Sequence, residues 1–306
     1  MIDNEKALLA KIADLHEVPM GAYNIRVNGK SEMRHSTAEI EIVPKKNKPG
    51  IDIIVKPNTV GKSVHIPVIL SRGGFKDMVY NDFYIGENCD VIIVAGCGIH
   101  NDSNRKTEHE GIHSFYLDKN AKVRYIEKHF GQGGGKGDRV FNPTTKIDLR
   151  EGAELTMETV QIGGVSDTIR TTKAVVGDRA KLLIKEKLLT TDTQTAKTNF
   201  NVKLQGEDSS VEVISRSVAK DSSSQTFKSK VEGKNKCFGR VECDAIMTGH
   251  AVVTSTPEVV AKDINATLIH EASIGKIAGE QLIKLMTLGL DEHQAEDLII
   301  QGFLNG

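Results

Sequence analysis

The sequence predicts an all-β protein whose strands stack as a solenoid, and three observations support this fold class. From about residue 25 to residue 270, apolar and polar residues alternate in short runs such as Ile51, Ile53 and Val55, which is typical of strands with one buried face. Small or turn-forming residues precede most of these runs, and no helical pattern separates them. The runs recur in steps of 27 to 32 residues when they are aligned at Val91, Val123, Leu155, Leu182, Val211, Val241 and Leu268. Such a repeat indicates coils stacked strand on strand, whereas a β-sandwich has similar strands without needing the repeat.

Helical patterns occur only at the two ends, which divides the chain into segments 1–24, 25–272 and 273–306. In the first segment, Asn4 to Leu15 carries a helical apolar stripe, and Val18-Pro19 follows it. A residue before proline avoids the helical region, so we expect one short N-terminal helix.

The last segment predicts two short helices. The first runs from Glu280 to Leu288 and stops at Gly289, because glycine readily adopts the left-handed conformation that ends helices. Asp291 can cap the second helix. Its expected apolar face consists of Ala295, Leu298 and Ile299.

Charge and hydropathy exclude several classes of partner. The 306 residues contain 40 Lys and Arg against 41 Asp and Glu, so we expect no nucleic-acid binding. The longest apolar run, Val91 to Ala95, is far too short for a membrane span, and the N-terminus lacks a signal-peptide pattern. We therefore expect a soluble, cytoplasmic protein without membrane contact. In that compartment the cysteines are expected to be free thiols or metal ligands, and they are Cys89, Cys97, Cys237 and Cys243.

Residues 109–113 fit the zinc-protease pattern H-E-x-x-H, which requires a helix. Gly111 interrupts the motif and strand-like runs flank it, so the sequence favours a strand that places His109 and His113 on one face. We interpret Cys97, His100 and His113 as a candidate metal-binding group, because thiolate and imidazole suit transition metals. The alternative is a polar loop with surface histidines.

The C-terminal part of the chain resembles the signature of the SufB/SufD family of iron–sulfur cluster assembly scaffolds. The resemblance is specific over about residues 235–305 and looser across the β-rich body. The residues that carry it are Ser255-Thr256-Pro257-Glu258, Asp263 to Ile277, Glu280-Gln281-Leu282, Leu288-Gly289-Leu290 and Ile300-Gln301-Gly302-Phe303-Leu304.

The resemblance implies a right-handed parallel β-helix with flanking helices. It also implies a SufC-type ABC ATPase bound through the C-terminal helices, and a homodimer or a SufB/SufD-like heterodimer formed through the β-helix. The implied role is not enzymatic: the protein receives iron and sulfur from donors and passes a transient iron–sulfur cluster to apo-proteins. The alternative is a structural, SufD-like subunit that binds the ATPase but holds no cluster.

The chain departs from the family pattern in ways that identify it as a short, ancestral-type member. It mostly lacks the extra N-terminal helical region, and the turn at residues 249–254 has no cysteine where SufB-type proteins have one. His270 and Glu271 are SufB-like, and Cys243 is the cysteine nearest to the missing position, so we predict a cluster site of Glu271, His270 and Cys243. Strand alternation places Glu271 on the face opposite to His270, so both reach one site only if the strand ends there or a dimer interface wraps around it.

Overall fold

The computed structural model of the chain describes residues 3–305. Met1, Ile2 and Gly306, which end the predicted terminal segments, lie outside the described residues. The N-terminal helix α1 (Asp3–Ala13) ends two residues before the predicted Leu15, because Asp14 turns into the left-handed region with φ 52°. The apolar side of α1 packs on the outside of the first coils, where Leu8 and Ile12 are fully buried.

The described residues form twenty strands. In chain order they are β1 (Ala22–Val27), β2 (Lys30–His35), β3 (Ile40–Pro44), β4 (Gly50–Val55), β5 (Val60–Leu70), β6 (Lys76–Ile85), β7 (Asp90–His100), β8 (Thr107–Leu117), β9 (Lys122–Gln132), β10 (Arg139–Phe141), β11 (Thr144–Leu149), β12 (Glu154–Ile162), β13 (Asp167–Val176), β14 (Lys181–Thr190), β15 (Thr195–Leu204), β16 (Ser209–Ala219), β17 (Ser224–Gly233), β18 (Cys237–Met247), β19 (Val252–Ala261) and β20 (Ala266–Gly275).

Two long sheets face each other. The first has the order β2-β1-β5-β7-β9-β12-β14-β16-β18-β20, and the second has the order β19-β17-β15-β13-β10-β8-β6-β4-β3, with β11 continuing between β8 and β13. Pairing is parallel except at β1/β2 and β3/β4. From β4 to β20 the chain alternates between the sheets, with β10 and β11 both in the second sheet, and so winds through about 8 turns of a parallel β-solenoid. The predicted fold class is confirmed.

The register confirms most of the predicted repeat. Val91, Val123, Leu155, Leu182 and Val211 are successive neighbours in the first sheet. The next neighbour is Gly239 rather than the predicted Val241, and Leu268 follows it. A methyl group at Gly239 would lie 2.8 Å from the Leu268 side chain. This interior position therefore holds a glycine, and an alignment of large apolar residues passes over it.

The turn residues before the strands stack into a ladder. Asn58, Asn88 and Asn120 all have positive φ, and each backbone N–H donates to a carbonyl of the following coil. The side-chain amide of Asn88 donates to Asn58 (3.4 Å), and that of Asn120 donates to Asn88 (3.3 Å). Asparagine tolerates the left-handed conformation, which explains the recurring lead-in seen in the sequence.

The interior has an apolar half and a polar half. Stacked side chains such as Phe83 and Phe115, whose ring centroids are 4.3 Å apart, fill the apolar half. The polar half contains a row of residues that are neighbours from coil to coil in the first sheet. This polar row consists of Glu127, Thr159, Glu186, Ser215 and Cys243.

Two helices, α2 (Gly279–Met286) and α3 (Glu292–Asn305), close the described chain. Asp291 caps α3 as predicted, because its carboxylate accepts from the Gln294 N–H (2.8 Å) while the Gln294 side chain accepts from the Asp291 N–H (3.0 Å). Of the expected apolar face of α3, Ala295 is buried and Leu298 is half exposed, and Ile300 and Leu304 also pack in the core. Within residues 3–305, no helix combines the length and apolarity needed to cross a membrane.

Candidate functional site at the C-terminal end of the solenoid

The last coil, formed by β19 and β20, leaves the end of the solenoid open. Both strands are the final members of their sheets, so each has one edge without a strand partner among the described residues. In β18, inward-facing side chains such as Val241 are fully buried. In the adjacent strand β20, the inward-facing Leu268 and His270 are only partly buried. Unpaired strand edges next to an incompletely covered core form a surface suited to pairing with another chain.

His270 faces inward at this open end. It is the register neighbour of Val241 in β18. Both of its ring nitrogens are buried and lack a hydrogen-bond partner, and burial lowers its pKa. The imidazole is therefore neutral near pH 7 with a free lone pair, which is the form that binds a metal.

Cys243 lies on the same inward face, because its neighbour in β20 is Ala272, two residues beyond His270. Only 2% of Cys243 is exposed. Burial is the main cause that raises the pKa of its thiol to about 11. The Glu186 carboxylate raises it further, and the nearby Ser255 lowers it. The thiol is therefore protonated near neutral pH, and binding of a metal there would release its proton.

Glu271 lies on the opposite face of β20. It accepts a hydrogen bond of 2.7 Å from Arg240, whose guanidinium also donates to Glu242 at 3.0 Å. Strand β20 continues past His270 to Gly275, so the strand does not end in a way that would bring Glu271 inward. The structure thus brings His270 and Cys243 to one face and leaves Glu271 outside, half exposed.

The second predicted group is spread over two sheets. Cys97 is buried in β7 beside His129 and Val68, and burial is the main cause that raises its pKa well above its ordinary value. His100 ends β7 and lies 2.7 Å from the Asp102 carboxylate. His113 is buried in β8 of the other sheet. Within residues 3–305, no three His, Cys, Asp or Glu side chains are grouped as a metal site.

Sequence reasoning missed a buried charge network in the polar half of the core. Arg170 donates to Glu127 (2.6 Å) and to His129 (3.3 Å), and its Nε lies 3.6 Å from Glu186. Burial raises the pKa of Glu127, but His129 and Arg170 outweigh it and hold that pKa well below its usual range. The sequence contains one signal for this network, namely charged residues at positions where strand alternation predicts a buried side chain.

Comparison with known proteins identifies the family of the chain. The family model described as "SUF system FeS cluster assembly, SufBD core domain" matches residues 80–303, from β6 into α3. Similar proteins include two iron–sulfur cluster assembly SufBD family proteins. The relative from Methanocaldococcus jannaschii is 29% identical over 255 residues, which cover 82% of this chain and 79% of that protein. The relative from Pyrococcus horikoshii is 27% identical over 307 residues, which cover 96% and 84%.

A third SufBD family protein, from Archaeoglobus fulgidus, is 27% identical over 250 residues, which cover 80% of this chain and 66% of that relative. The resemblance that the C-terminal motifs suggested is therefore confirmed. Since the family model matches well over half of the chain, the chain belongs to the SufBD family of iron–sulfur cluster assembly proteins.

Proposed function

We propose that this chain is a scaffold on which an iron–sulfur cluster is assembled before transfer to apo-proteins, in a SUF-type complex with an ABC-type ATPase. The observation that carries the proposal is the pair of His270 and Cys243 at the open end of the solenoid. Both ring nitrogens of His270 are buried without partners, and Cys243 supplies a thiol on the same face. Imidazole and thiolate are ligands that bind iron, and a mixed set releases it more readily than four thiolates.

A second copy of the chain completes the site in this proposal. The free edges of β19 and β20 can pair with the same edges of a partner around a two-fold axis. Glu271 is half exposed beside these edges, so a partner subunit can approach it from outside while His270 faces inward. The homodimer thus resolves the opposite orientation of the two residues.

The proposed ATPase docking surface is the apolar face of the helix pair α2 and α3. None of the α2 residues is buried, and Ile283 and Leu288 are 63% and 76% exposed. Leu298 and Met286 extend the same apolar surface with 50% and 42% exposure. Apolar side chains exposed next to each other are typical of a protein interface. In this arrangement the ATPase hydrolyses ATP and this chain carries out no catalysis itself.

Anaerobic reconstitution with ferrous iron and sulfide tests the cluster site. We expect the charge-transfer absorbance of the parent chain to be lost in His270→Ala and Cys243→Ser and reduced in Glu271→Gln. Glu242→Gln is the matched control, because Arg240 binds Glu242 as it binds Glu271. Cys237→Ser controls for loss of a buried thiol. If His270→Ala, Cys243→Ser and Glu271→Gln all reconstitute like the parent, the proposed site is wrong and the SufD-like structural role is favoured.

Co-elution with the SUF ABC ATPase of the same organism tests the docking surface. We expect Ile283→Asp combined with Leu288→Asp, or deletion of residues 278–306, to abolish the complex. Met20→Asp is the control, since Met20 is fully exposed at the other end of the chain. A complex that survives the deletion would show that the ATPase binds elsewhere.

A further inference from the structure

Two buried histidines near the N-terminal end of the solenoid point their free nitrogens at one gap. His109 and His113 both face inward from β8 and are 3% and 4% exposed. Gly111 lies between them on the same face and has no side chain to fill the space. A methyl group at Gly111 would lie 2.8 Å from Nε2 of His113 and 3.5 Å from Nε2 of His109. The gap at Gly111 is therefore bordered by two ring nitrogens.

Hydrogen bonds fix the tautomer of His109. Its Nδ1 lies 3.1 Å from the Asp77 carboxylate, which also accepts from Arg26 at 2.8 Å. Asp77 is thus the carboxylate of an ion pair with Arg26. A carboxylate only accepts, so Nδ1 of His109 carries the proton. Nε2 of His109 is buried and has no hydrogen-bond partner.

The tautomer of His113 is fixed in the same way through a tyrosine. The Tyr125 hydroxyl donates to the Glu127 carboxylate (3.1 Å) and lies 2.9 Å from Nδ1 of His113. Because the tyrosine proton points to Glu127, the hydroxyl accepts from His113, so Nδ1 again carries the proton. The Nε2 lone pair of His113 is thus left for the gap.

Another buried polar atom without a partner belongs to Asn81 on the neighbouring strand β6. Asn81 is the register neighbour of His113, and its buried Oδ1 has no partner. Asn81 and Val79, the neighbour of Gly111, line a cavity of about 150 Å³ that extends to the exposed Arg34 on β2. The cavity lies between the β1–β2 hairpin and the coil that precedes the two histidines.

We propose that Nε2 of His109 and Nε2 of His113 bind one divalent transition-metal ion at the gap beside Gly111, with Asn81 as a third donor and water in the remaining positions. Imidazole nitrogens suit zinc, iron and cobalt. A histidine that binds a metal usually donates its other N–H to a carboxylate or a similar acceptor, which orients the ring. Asp77 and Tyr125 provide these acceptors, so they are positioning residues.

This site does not rest on the proposed function at His270. Strand β8 is five strands away from β19 in the second sheet, or about 24 Å at the usual spacing of ~4.8 Å between strands. The two sites can therefore be tested separately on one chain.

The test uses the chelator-treated full chain titrated with Co²⁺ and with Zn²⁺. Calorimetry gives the affinity and stoichiometry, and the visible absorption of bound Co²⁺ reports the ligands. To exclude the C-terminal end, every variant is also titrated in a His270→Ala background. We expect His113→Gln and His109→Gln to weaken binding by more than about 100-fold, because even loss of a residue that only orients a ligand costs 10- to 100-fold.

Gly111→Ala is the sharper variant, because it keeps both histidines and fills the gap with one methyl group. We expect it to abolish Co²⁺ binding while the circular dichroism spectrum stays unchanged. Gly134→Ala is its control, since a methyl group at Gly134 meets no atom within 4 Å. His65→Gln controls for the loss of a histidine elsewhere in the solenoid.

X-ray absorption of the Zn²⁺-loaded parent covers the case in which a variant fails to fold. We expect two imidazole ligands in the first shell. A parent chain that binds neither metal, a Gly111→Ala chain that binds like the parent, or a first shell without imidazole would each overturn the proposal.

Discussion

Replacing Arg170 with methionine should destabilise the solenoid far more than replacing an exposed arginine. Arg170 is 5% exposed and lies between two buried carboxylates, those of Glu127 and Glu186. Methionine fills a similar volume but leaves both carboxylates without their cation. Breaking a buried ion pair by removing one partner costs about 3–5 kcal/mol. We therefore expect the free energy of unfolding to fall by about 4 kcal/mol.

Arg124→Met is the matched control. Arg124 binds Glu158 with two hydrogen bonds of 2.9 and 3.0 Å, but its side chain is 53% exposed. Solvent screens such a pair, so its loss should cost less than about 1 kcal/mol.

Urea unfolding followed by far-ultraviolet circular dichroism measures both effects. Adding Glu127→Gln to Arg170→Met removes one unpaired charge and should recover more than about 1 kcal/mol, which a double-mutant cycle detects. Equal losses for Arg170→Met and Arg124→Met, or no recovery in the double variant, would refute the conclusion that Arg170 neutralises the buried carboxylates.

Three further predictions concern packing, the turn ladder and pH. Gly239→Ala should lower the unfolding free energy by about 1–3 kcal/mol through overpacking, since the new methyl group would lie 2.8 Å from Leu268. In thermal unfolding, adding Leu268→Ala should restore part of this loss. If the double variant regains no stability, the close contact is not the cause. Asn120→Ala should lower the unfolding free energy by about 1 kcal/mol, because φ is 57° at Asn120 and alanine disfavours this conformation. Asn120→Gly should leave the unfolding free energy almost unchanged. Equal losses in the two variants would show that the backbone conformation is not the cause. Burial raises the pKa of the Cys89 thiol above its ordinary value of 9.0, so the unfolded thiol ionises first and stability falls as pH rises above that value. The Cys89→Ala chain should lose less stability than the parent over the same range in urea titrations, and an identical pH profile would contradict this.

The repeat was predictable from the sequence because it depends on local patterns. Alternation marks the strands, and residues that tolerate positive φ, such as Asn88 and Asn120, mark the turns between them. The repeat lost its register at Gly239, where a small residue makes room for the large Leu268 of the next coil. A compensation between neighbouring coils is visible only once the coils are stacked.

The buried network was harder to predict because its members come from different coils. Arg170 and Glu127 are 43 residues apart in the chain, and their contact depends on which strands face each other across the interior. Each residue alone is a common surface residue. The alternation of side chains along each strand places both residues in the interior. A buried charge requires a partner, but the alternation does not show which residue that partner is.

Three of the inward-facing histidines, His109, His129 and His270, show how the hydrogen bonds separate structural residues from candidate sites. His129 uses both ring nitrogens, since Nδ1 accepts from Arg170 and Nε2 lies 3.5 Å from Glu127. His109 uses one nitrogen, and His270 uses neither. A buried nitrogen without a partner is costly, and a bound metal or a partner subunit would remove that cost. The hydrogen bonds therefore assign His129 to the core and leave His109 and His270 as positions where we propose that a ligand binds.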